Sequence, residues 1–600
     1  MQDAKGNSAI SRPESDEVSW SGPGIAALAS TALAACGGGA GGGGAGGGGA
    51  GGAPTAVIPG AAVTLNTSGY TQLSSVTDAQ ASRFLLQAQF SASDTEIAAV
   101  KAQGYAPWIQ TQVATASGTL GWDWLNAQGY GDVNNSANYY DNSYPGDYMV
   151  WSQLMAAPDA ARKRMALALS EIFVVSLVGL NFNWRSHAAA HYWDTLNSHA
   201  FGNYRDLLGA ITLNVAMGYY LNVKGSRKAD GRGTQPDENY AREVMQLFSV
   251  GLVLLNPDGS PQLDGSGNKI DTYGASDVSM LAQVFTGYDL DMSGNVNTVI
   301  AQTGGGTRTV SSIDFARLPM VQVGNYHSTV DSTFLGITVP GTATPVEGLK
   351  LALDRLFNHQ NTAPFISKQL IQRLVTSNPS PAYVARVAAV FANNGAGVRG
   401  SLAHVYAAIL LDDEARGTAG LSDPQFGKLR EPMLRLVQWG RTFGATSASG
   451  SWKMGDLSNA GTQLGQSPLR SPTVFNFFRP GYVPPATALG LGAVAPEFQL
   501  VNESSVGGYL NFLQSVIQNG LNSGDIKSAY ANELALVTDS AALLKRISLL
   551  LCADQLSAAN QTLIVNALNA MPFASNAQQL NRVYAAVLLV MASAEYLVQK

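Results

Sequence analysis

The stretch that decides the fold is Thr234–Gly251, which reads TQPDENYAREVMQLFSVG and contains four charged residues. Pro236 fixes φ near the start of a helix, and Asp237 can cap that start or sit against the positive end of the helix dipole. Gly251 can take the left-handed conformation that ends a helix. The stretch therefore predicts one helix with a defined beginning and end.

An apolar stripe at the spacing i, i+4, i+7, i+8 and i+11 predicts one buried face on this helix. The stripe consists of Tyr240, Val244, Leu247, Phe248 and Gly251. Glu238 and Arg242 project from the opposite side, four positions apart. Asn239 and Glu243 lie along a border of the stripe, where burial makes an unpaired polar group costly. We therefore expect these border side chains to have partners.

Composition limits the classes of partner. Charged residues make up 13% of the 600 positions, against about 25% in typical soluble domains. The formal net charge of −6 argues against a nucleic-acid partner, which would require a basic face. No apolar run reaches the ~18 residues that span a bilayer. We expect contact with a membrane only through a lipid anchor.

The N-terminal segment predicts the compartment. A short apolar stretch, Ile25–Ala35, ends in Leu33-Ala34-Ala35-Cys36, which resembles the lipobox of bacterial lipoproteins, whose cysteine is acylated. Residues 1–36 are therefore predicted to be a lipoprotein-type signal segment with Cys36 lipidated. The protein would then be exported, to the outer membrane and periplasm or to the cell surface. The alternative is a disordered alanine-rich tail.

The rest of the chain predicts one large helical domain behind a tether. Residues 37–76 begin with nearly pure Gly and Ala and predict a flexible tether. Residues 77–600 show helical periodicity and caps, so the fold class is mainly α with a large multi-helix core. Turn-rich residues with short alternating runs predict a small β-hairpin and short-strand excursion at about 252–275 and 300–340. Irregular insertions are predicted at residues 122–147, 291–345 and 444–508.

Five separated segments, in this order, resemble the hallmark segments of bacterial domain-of-unknown-function family 1800 (the DUF 1800 family). They are Arg162–Val174, Asn203–Leu208, Pro236–Glu243, Phe285–Tyr288 and Pro364–Ile371. The resemblance runs from about Ser82 to the C-terminus. It implies a large, mostly helical, exported bacterial protein without an assigned activity. It also implies a secreted sulfatase-like protein as a partner, because members are commonly encoded beside one.

Familiar catalytic motifs are missing from the sequence. There is no His-Glu-x-x-His helix, Cys-x-x-Cys pair, Gly-x-Ser-x-Gly elbow or Walker lysine, and the Gly-x-Gly-x-x-Gly spacing in the tether only reflects its low complexity. We therefore predict no metal and no cofactor.

The best constellation joins the Thr234–Gly251 helix to an earlier one, on which three of the six histidines fall within thirteen positions. A hydrolase or lyase acting on an extracellular or envelope polysaccharide needs an acid and a base, and Glu and His can divide those roles. The catalytic candidates are Glu243, Glu238 and His191. Cations and a helix N-terminus could hold an anionic glycan. The substrate-binding candidates are Asn239, Arg242, Lys224, Arg227, His199 and His327.

The alternative is a non-catalytic binding or scaffold protein that works with the sulfatase-like partner. Glu238 and Arg242 would then be an ordinary i,i+4 ion pair, and Glu243 would pair with a cation such as Arg205. The two hypotheses separate on geometry. An open cavity shared by the His191 helix, the Glu238 helix and the basic loop Lys224–Arg232 would favour an enzyme. Paired polar groups that are sealed from solvent would favour a scaffold.

Overall fold

The computed structural model describes residues 58–302, 305–485 and 493–600. The predicted signal segment, Cys36 and most of the predicted tether lie outside these residues. The fold is mainly α with short strand excursions, as predicted. Its buried apolar side chains form one continuous core.

The first half of the chain contributes the helices α1 Asp78–Ala88, α2 Asp94–Gln103, α3 Tyr105–Ala114, α4 Gly121–Ala127, α5 Tyr144–Ala156, α6 Ala160–Ser170, α7 Arg185–His199, α8 Tyr204–Thr212, α9 Val215–Tyr220, α10 Asn239–Gln246 and α11 Ala275–Val284. The second half contributes α12 Pro345–Asn358, α13 Thr362–Leu374, α14 Pro381–Ala392, α15 Leu402–Leu411, α16 Asp413–Arg416, α17 Ala419–Ser422, α18 Pro432–Thr442, α19 Glu503–Asn519, α20 Ala531–Leu534, α21 Ser540–Cys552, α22 Ala558–Asn569, α23 Asn576–Ala592 and α24 Ala594–Leu597. Within the described ranges, none of these helices combines the length and apolarity needed to cross a bilayer.

The strands are short and pair two by two. They are β1 Tyr288–Asp289, β2 Asn297–Ala301, β3 Thr307–Ser311, β4 Val321–Gln322, β5 Ser332–Phe334, β6 Ile337–Val339, β7 Lys428–Leu429, β8 Thr446–Ser447, β9 Ile526–Lys527 and β10 Val598–Gln599. The antiparallel pairs are β1 with β4, β2 with β3, β5 with β6, β7 with β10 and β8 with β9. The predicted excursion at 252–275 holds only isolated bridges, such as Val253 with Asp271.

Helix α7 lies at the centre, packed against α4, α5, α6, α8 and α9. The neighbouring α6 buries the apolar face that its periodicity predicts, including Met165 and Leu169, which are fully buried. The helical periodicity extends beyond Ser170, where α6 ends. The β-branched run Ile172–Val175 that follows has a low helix propensity.

The decisive helix is shorter than predicted. It begins at Asn239, with Glu238 as its N-cap residue, so Pro236 and Asp237 precede it. Asp237 still caps the helix, because its carboxylate accepts the backbone N–H of Asn239 at 2.8 Å. Gly251 has φ +70°, the left-handed conformation expected of it. The apolar stripe is buried as predicted at Tyr240, Val244, Phe248 and Gly251, whereas Leu247 is only partly buried.

One predicted irregular insertion and the end of the predicted tether differ from expectation. Residues 122–147 include most of α4, a 3₁₀ turn at Tyr139–Asp141 and the start of α5. Residues 58–76 lack helices and strands but are fastened to the body. Leu65 is buried and its N–H donates to Gln110 Oε1 at 2.8 Å. The C-terminal part of the predicted tether, residues 58–76, therefore contacts the helical domain.

Distant parts of the chain meet at β10. Val598 and Gln599 pair with Leu429 and Lys428, and the Gln599 side chain donates to the Leu374 carbonyl at 2.8 Å. The strand thereby covers the segment between α17 and α18.

We predict that Gly251→Ala destabilises the fold by roughly 2–4 kcal/mol, because an L-residue is strained at positive φ and its side chain must also displace a neighbour. A Cβ at this position would lie 2.7 Å from Phe365 Cε2. The matched control is Gly267→Ala, where φ is +83° and nothing lies within 4 Å, so strain alone should cost about 1 kcal/mol. Urea unfolding of both variants measures the difference, and equal losses would contradict the packing contribution.

Candidate functional site

Glu238 and Arg242 form the predicted i,i+4 ion pair at the surface. Arg242 Nη2 lies 3.0 Å from Glu238 Oε2, and the two side chains are 47% and 40% exposed. The other carboxylate oxygen of Glu238 accepts a hydrogen bond from the Ser279 hydroxyl on α11. An exposed pair of this kind contributes little stability, about 0.3–0.5 kcal/mol. Asn239 beside them is exposed rather than at a buried border.

The cations of the basic loop are engaged with the protein's own groups. Lys224 Nζ lies 3.5 Å from Asp289 Oδ1 and 5.4 Å from the centre of the Tyr219 ring. The guanidinium of Arg227 lies 4.0 Å above the centre of the Tyr326 ring. Both cations remain partly exposed. An anionic ligand would therefore meet cations that already have partners.

The histidines of α7 do not form one catalytic group. Burial lowers the pKa of His191 to about 4, with a smaller contribution from the charge of Arg317. His187 is more deeply buried, between the rings of Trp122 and Trp184, and burial lowers its pKa to about 3. His199 lies at the end of the helix with Nδ1 2.9 Å from the Thr195 carbonyl oxygen.

Asp194 on the same helix is a capping group. Its two carboxylate oxygens accept the backbone N–H groups of Gly121 and Trp122 at 2.7 and 2.9 Å. Burial raises its pKa to about 6, even though these two hydrogen bonds favour the charged form. Asp194 therefore fixes the start of α4 against α7.

His327 lines a small cavity next to the β5–β6 hairpin. Its Nδ1 lies 2.9 Å from the Thr286 carbonyl oxygen. Side chains such as Ser328 and Ser332 line the same cavity, whose described lining includes no charged residue. The cavity brings His327 close to neither Glu243 nor His191.

Glu243 is the candidate whose environment is most unusual. It is 9% exposed, and burial raises the pKa of its carboxyl above the ordinary value, although the charge of Arg242 opposes this. Its Oε2 and the Tyr273 hydroxyl are both buried without a hydrogen-bond partner among the described residues. Arg205, the cation expected to pair with Glu243, instead binds Asp354 at 2.7 Å, so that expectation is wrong.

Two tyrosines lie within electrostatic reach of Glu243. Burial raises the pKa of Tyr273 to about 12, and the charge of Glu243 adds to this effect. Burial also raises the pKa of Tyr220 at the end of α9, where the Ser471 hydroxyl lowers it and Glu243 raises it. Glu243 on α10 thus influences the pKa of one phenol in the 252–275 excursion and of one at the end of α9.

Sequence reasoning missed a buried cluster of charges between α6, α13 and α18. It contains three cations and three carboxylates: Arg164, Arg373, Lys428, Glu171, Glu431 and Glu497. Lys428 Nζ lies 3.0 Å from Glu497 Oε1 and 3.4 Å from Glu431 Oε1. Arg373 Nε lies 3.2 Å from Glu171 Oε2.

Within this cluster, the pKa values of Glu171 and Glu431 move in opposite directions. Burial raises the pKa of Glu171 well above its usual range, and the adjacent charge of Glu431 adds to the effect. The pKa of Glu431 is lowered despite its burial, chiefly by the charge of Lys428. Two carboxyls this close cannot both ionise at low cost. Glu171 therefore carries the proton and Glu431 the negative charge.

Glu171 also lines a cavity of about 20 Å³, a volume that can hold a water molecule. Ser467 Oγ and Asn476 Nδ2 in its lining are buried without a hydrogen-bond partner among the described residues. The sequence does contain one signal of this buried cluster, which is a charged residue within an apolar helical run. Glu171, directly after α6, is an example. The partners of such residues are far apart in the chain, so no local pattern identifies them.

The described residues place no group of three or more His, Cys, Asp or Glu side chains where they could hold a metal ion together. Cys552 is buried, as expected for a core cysteine, and burial raises the pKa of its thiol.

A family model described as "Protein of unknown function (DUF1800)" matches residues 83–598. No curated protein matches the chain, and no solved structure does.

We predict that Glu171→Gln changes the free energy of unfolding at pH 7 by less than about 1 kcal/mol, because Gln replaces a neutral acid. Glu431→Gln should cost roughly 3–5 kcal/mol, since it leaves buried cations without their counter-charge. The raised pKa of Glu171 stabilises the fold at low pH, and this contribution is lost as pH rises through the folded-state pKa. Wild type should therefore lose stability with rising pH relative to Glu171→Gln. Urea titrations from pH 5 to 9 check this, and equal effects of the two variants would contradict the assignment of the proton.

Proposed function

The chain belongs to the DUF1800 family, and we propose that it is an exported, lipid-anchored envelope protein that acts as a hydrolase or lyase on a polysaccharide. Its acid–base centre is Glu243 together with Tyr273 and Tyr220. The observation that carries this proposal is the pair of buried, unpartnered polar atoms, Glu243 Oε2 and Tyr273 Oη. Each such atom costs about 1–3 kcal/mol, a penalty that a role in catalysis would account for.

The chemistry follows from the protonation state of Glu243. Breaking a glycosidic C–O bond requires a proton for the departing oxygen, while a water oxygen bonds to the anomeric carbon in hydrolysis and a C–H proton beside the uronate carboxyl is lost in elimination. A carboxyl whose pKa is raised by burial keeps its proton to a higher pH and supplies it there. The phenols of Tyr273 and Tyr220 orient the substrate by hydrogen bonds, since each can donate and accept.

The surface next to Glu243 supplies polar contacts. Arg242 stands one position before it, still paired with Glu238, and Lys224 follows Tyr220 by four positions in the chain. We propose that these cations release their present partners and bind an anionic group of the glycan instead. Asn239 is exposed on the same side and available for hydrogen bonding. His191, His199 and His327 lie outside the proposed centre.

A scaffold function is the second candidate, and the pairing of the surface groups favours it. Glu238, Lys224 and Arg227 are all engaged with side chains of this protein. In this alternative the protein binds a secreted sulfatase-like partner without catalysing a reaction. Affinity capture from the native envelope, with the sulfatase-like protein identified by mass spectrometry, tests the alternative.

We predict that Glu243→Gln lowers kcat on a cleaved polysaccharide by at least a hundredfold, because it removes the proton donor. Activity of the wild type should fall as pH rises through the raised pKa of Glu243. The matched control is Glu238→Gln, which removes a surface ion pair and should keep activity within about threefold of wild type. Reducing-end and unsaturated-product assays on a polysaccharide panel separate hydrolysis from elimination. Cleavage that survives Glu243→Gln would refute the assignment.

We predict that Cys36→Ala abolishes lipidation and releases the protein from the membrane. Cys36 lies outside the described residues, so this proposal depends on the sequence Leu33-Ala34-Ala35-Cys36 alone. Wild type should incorporate labelled palmitate and enter the detergent phase on Triton X-114 partition. The variant should do neither, and palmitate incorporation into Cys36→Ala would exclude this anchor.

A further inference from the structure

Five aromatic side chains lie together where α4, the following loop and the start of α5 meet. We call this group the tyrosine platform; its members are Trp124, Tyr130, Tyr139, Tyr144 and Tyr148. The ring centres of Tyr130 and Tyr139 are 4.9 Å apart, and those of Tyr144 and Tyr148 are 5.3 Å apart. Trp124 stacks beside Tyr130 at 6.2 Å.

The platform keeps its polar groups open to solvent. Among the described residues, no hydrogen bond joins the hydroxyls of Tyr130, Tyr139, Tyr144 or Tyr148 to another group, and none of these hydroxyls is sealed from solvent. Core tyrosines of the same protein behave differently. Tyr204 donates to the Phe248 carbonyl at 2.7 Å, and Tyr383 donates to the Ile409 carbonyl at 2.6 Å.

The phenols of the platform also influence one another electrostatically. Burial raises the pKa of Tyr130 most, and the neighbouring phenols of Tyr148, Tyr139 and Tyr144 raise it further. A group of rings that is partly buried, with free hydroxyls, offers apolar faces and hydrogen bonds at one place.

We propose that the tyrosine platform binds an uncharged polysaccharide. A pyranose ring presents an apolar face of C–H groups, which packs on the electron-rich face of an aromatic ring. Its hydroxyls lie at the edges, where the free phenol hydroxyls can donate to them and accept from them.

Charge decides between an uncharged and an anionic polysaccharide. Residues 120–150 contain four Asp and no Lys, Arg or His. Asp147 at the base of the platform is already held by Arg470 at 2.6 Å, and Asp141 lies 3.0 Å from Arg308. The cations near the platform are thus engaged by carboxylates, with Arg185 also 3.4 Å from Asp141, and the five platform residues supply no charged group of their own to hold a uronate or sulfate.

The experiment is affinity electrophoresis of the full chain in gels containing hydroxyethylcellulose, xylan, dextran or polygalacturonate. Wild type should be retarded by at least one of the three uncharged polymers, and any retardation by polygalacturonate should be unchanged in the platform variants. Tyr139→Ala and Tyr144→Ala should each weaken that binding about tenfold, equivalent to about 1.4 kcal/mol. Tyr144→Phe keeps the ring and should weaken it less than Tyr144→Ala.

The matched control is Tyr326→Ala, which removes an exposed tyrosine that packs under Arg227, away from the platform. It should bind the uncharged polymer as wild type does. Glu243→Gln should also be retarded normally, so a failed assignment of the acid–base centre leaves this result untouched. Thermal unfolding confirms that each variant is folded.

Three outcomes would overturn the proposal. They are retardation by polygalacturonate alone, the absence of retardation by all three uncharged polymers, and equal retardation of wild type, Tyr139→Ala and Tyr144→Ala. Sedimentation velocity examines a competing occupant. If the Tyr→Ala variants alter the oligomeric state but not the retardation, the platform is a contact between copies of this chain.

Discussion

The fold depends on a balance of charge in the space between α6, α13 and α18. Three cations and three carboxyl groups are buried there together, and removing a charged one, such as Glu431 or Lys428, leaves another charge without compensation in a medium of low polarity. Lys428 illustrates the constraint, since its ammonium group meets Glu431, Glu497 and the Arg373 carbonyl at once. Such a cluster adds little to the net free energy of folding. It mainly specifies how the helices pack, because they can close only in the register that pairs every charge.

Local features were predictable, and remote pairings were not. Periodicity and caps located α10, the left-handed Gly251 and the Glu238–Arg242 pair, because each depends on residues within one or two helical turns. The ends of α10 were less accurate, since Pro236 and Asp237 can both begin a helix and only tertiary contacts decide between them. The pairing of Glu171 with Glu431 joins residues far apart in the sequence, and no local pattern encodes it. For the same reason the sequence grouped His191 with Glu243, whereas the structure gives them different neighbours.

The structure divides the protein's polar chemistry by depth. At the surface, Lys224, Arg227 and Glu238 are satisfied by neighbours. In the interior, the carboxylates are neutralised by cations or by a proton. Glu243 lies between these two regions, 9% exposed and with the pKa of its carboxyl raised by burial. The tyrosine platform has the complementary character, with large apolar rings and free hydroxyls at the surface. A polysaccharide that meets both regions would be held by stacking at one and protonated at the other.

The pairing of β10 with β7 also sets an order of events during folding. Lys428 and Leu429 lie beside the buried charges, yet the strand that covers them contains Val598, which the ribosome adds much later. Contacts between such distant segments slow folding, because the chain must lose entropy before they form. Until that strand is made, the cations and carboxylates around Lys428 remain hydrated. The interior should therefore close after synthesis of this region rather than during it, and the nascent chain stays open for any factor that handles unfolded polypeptides.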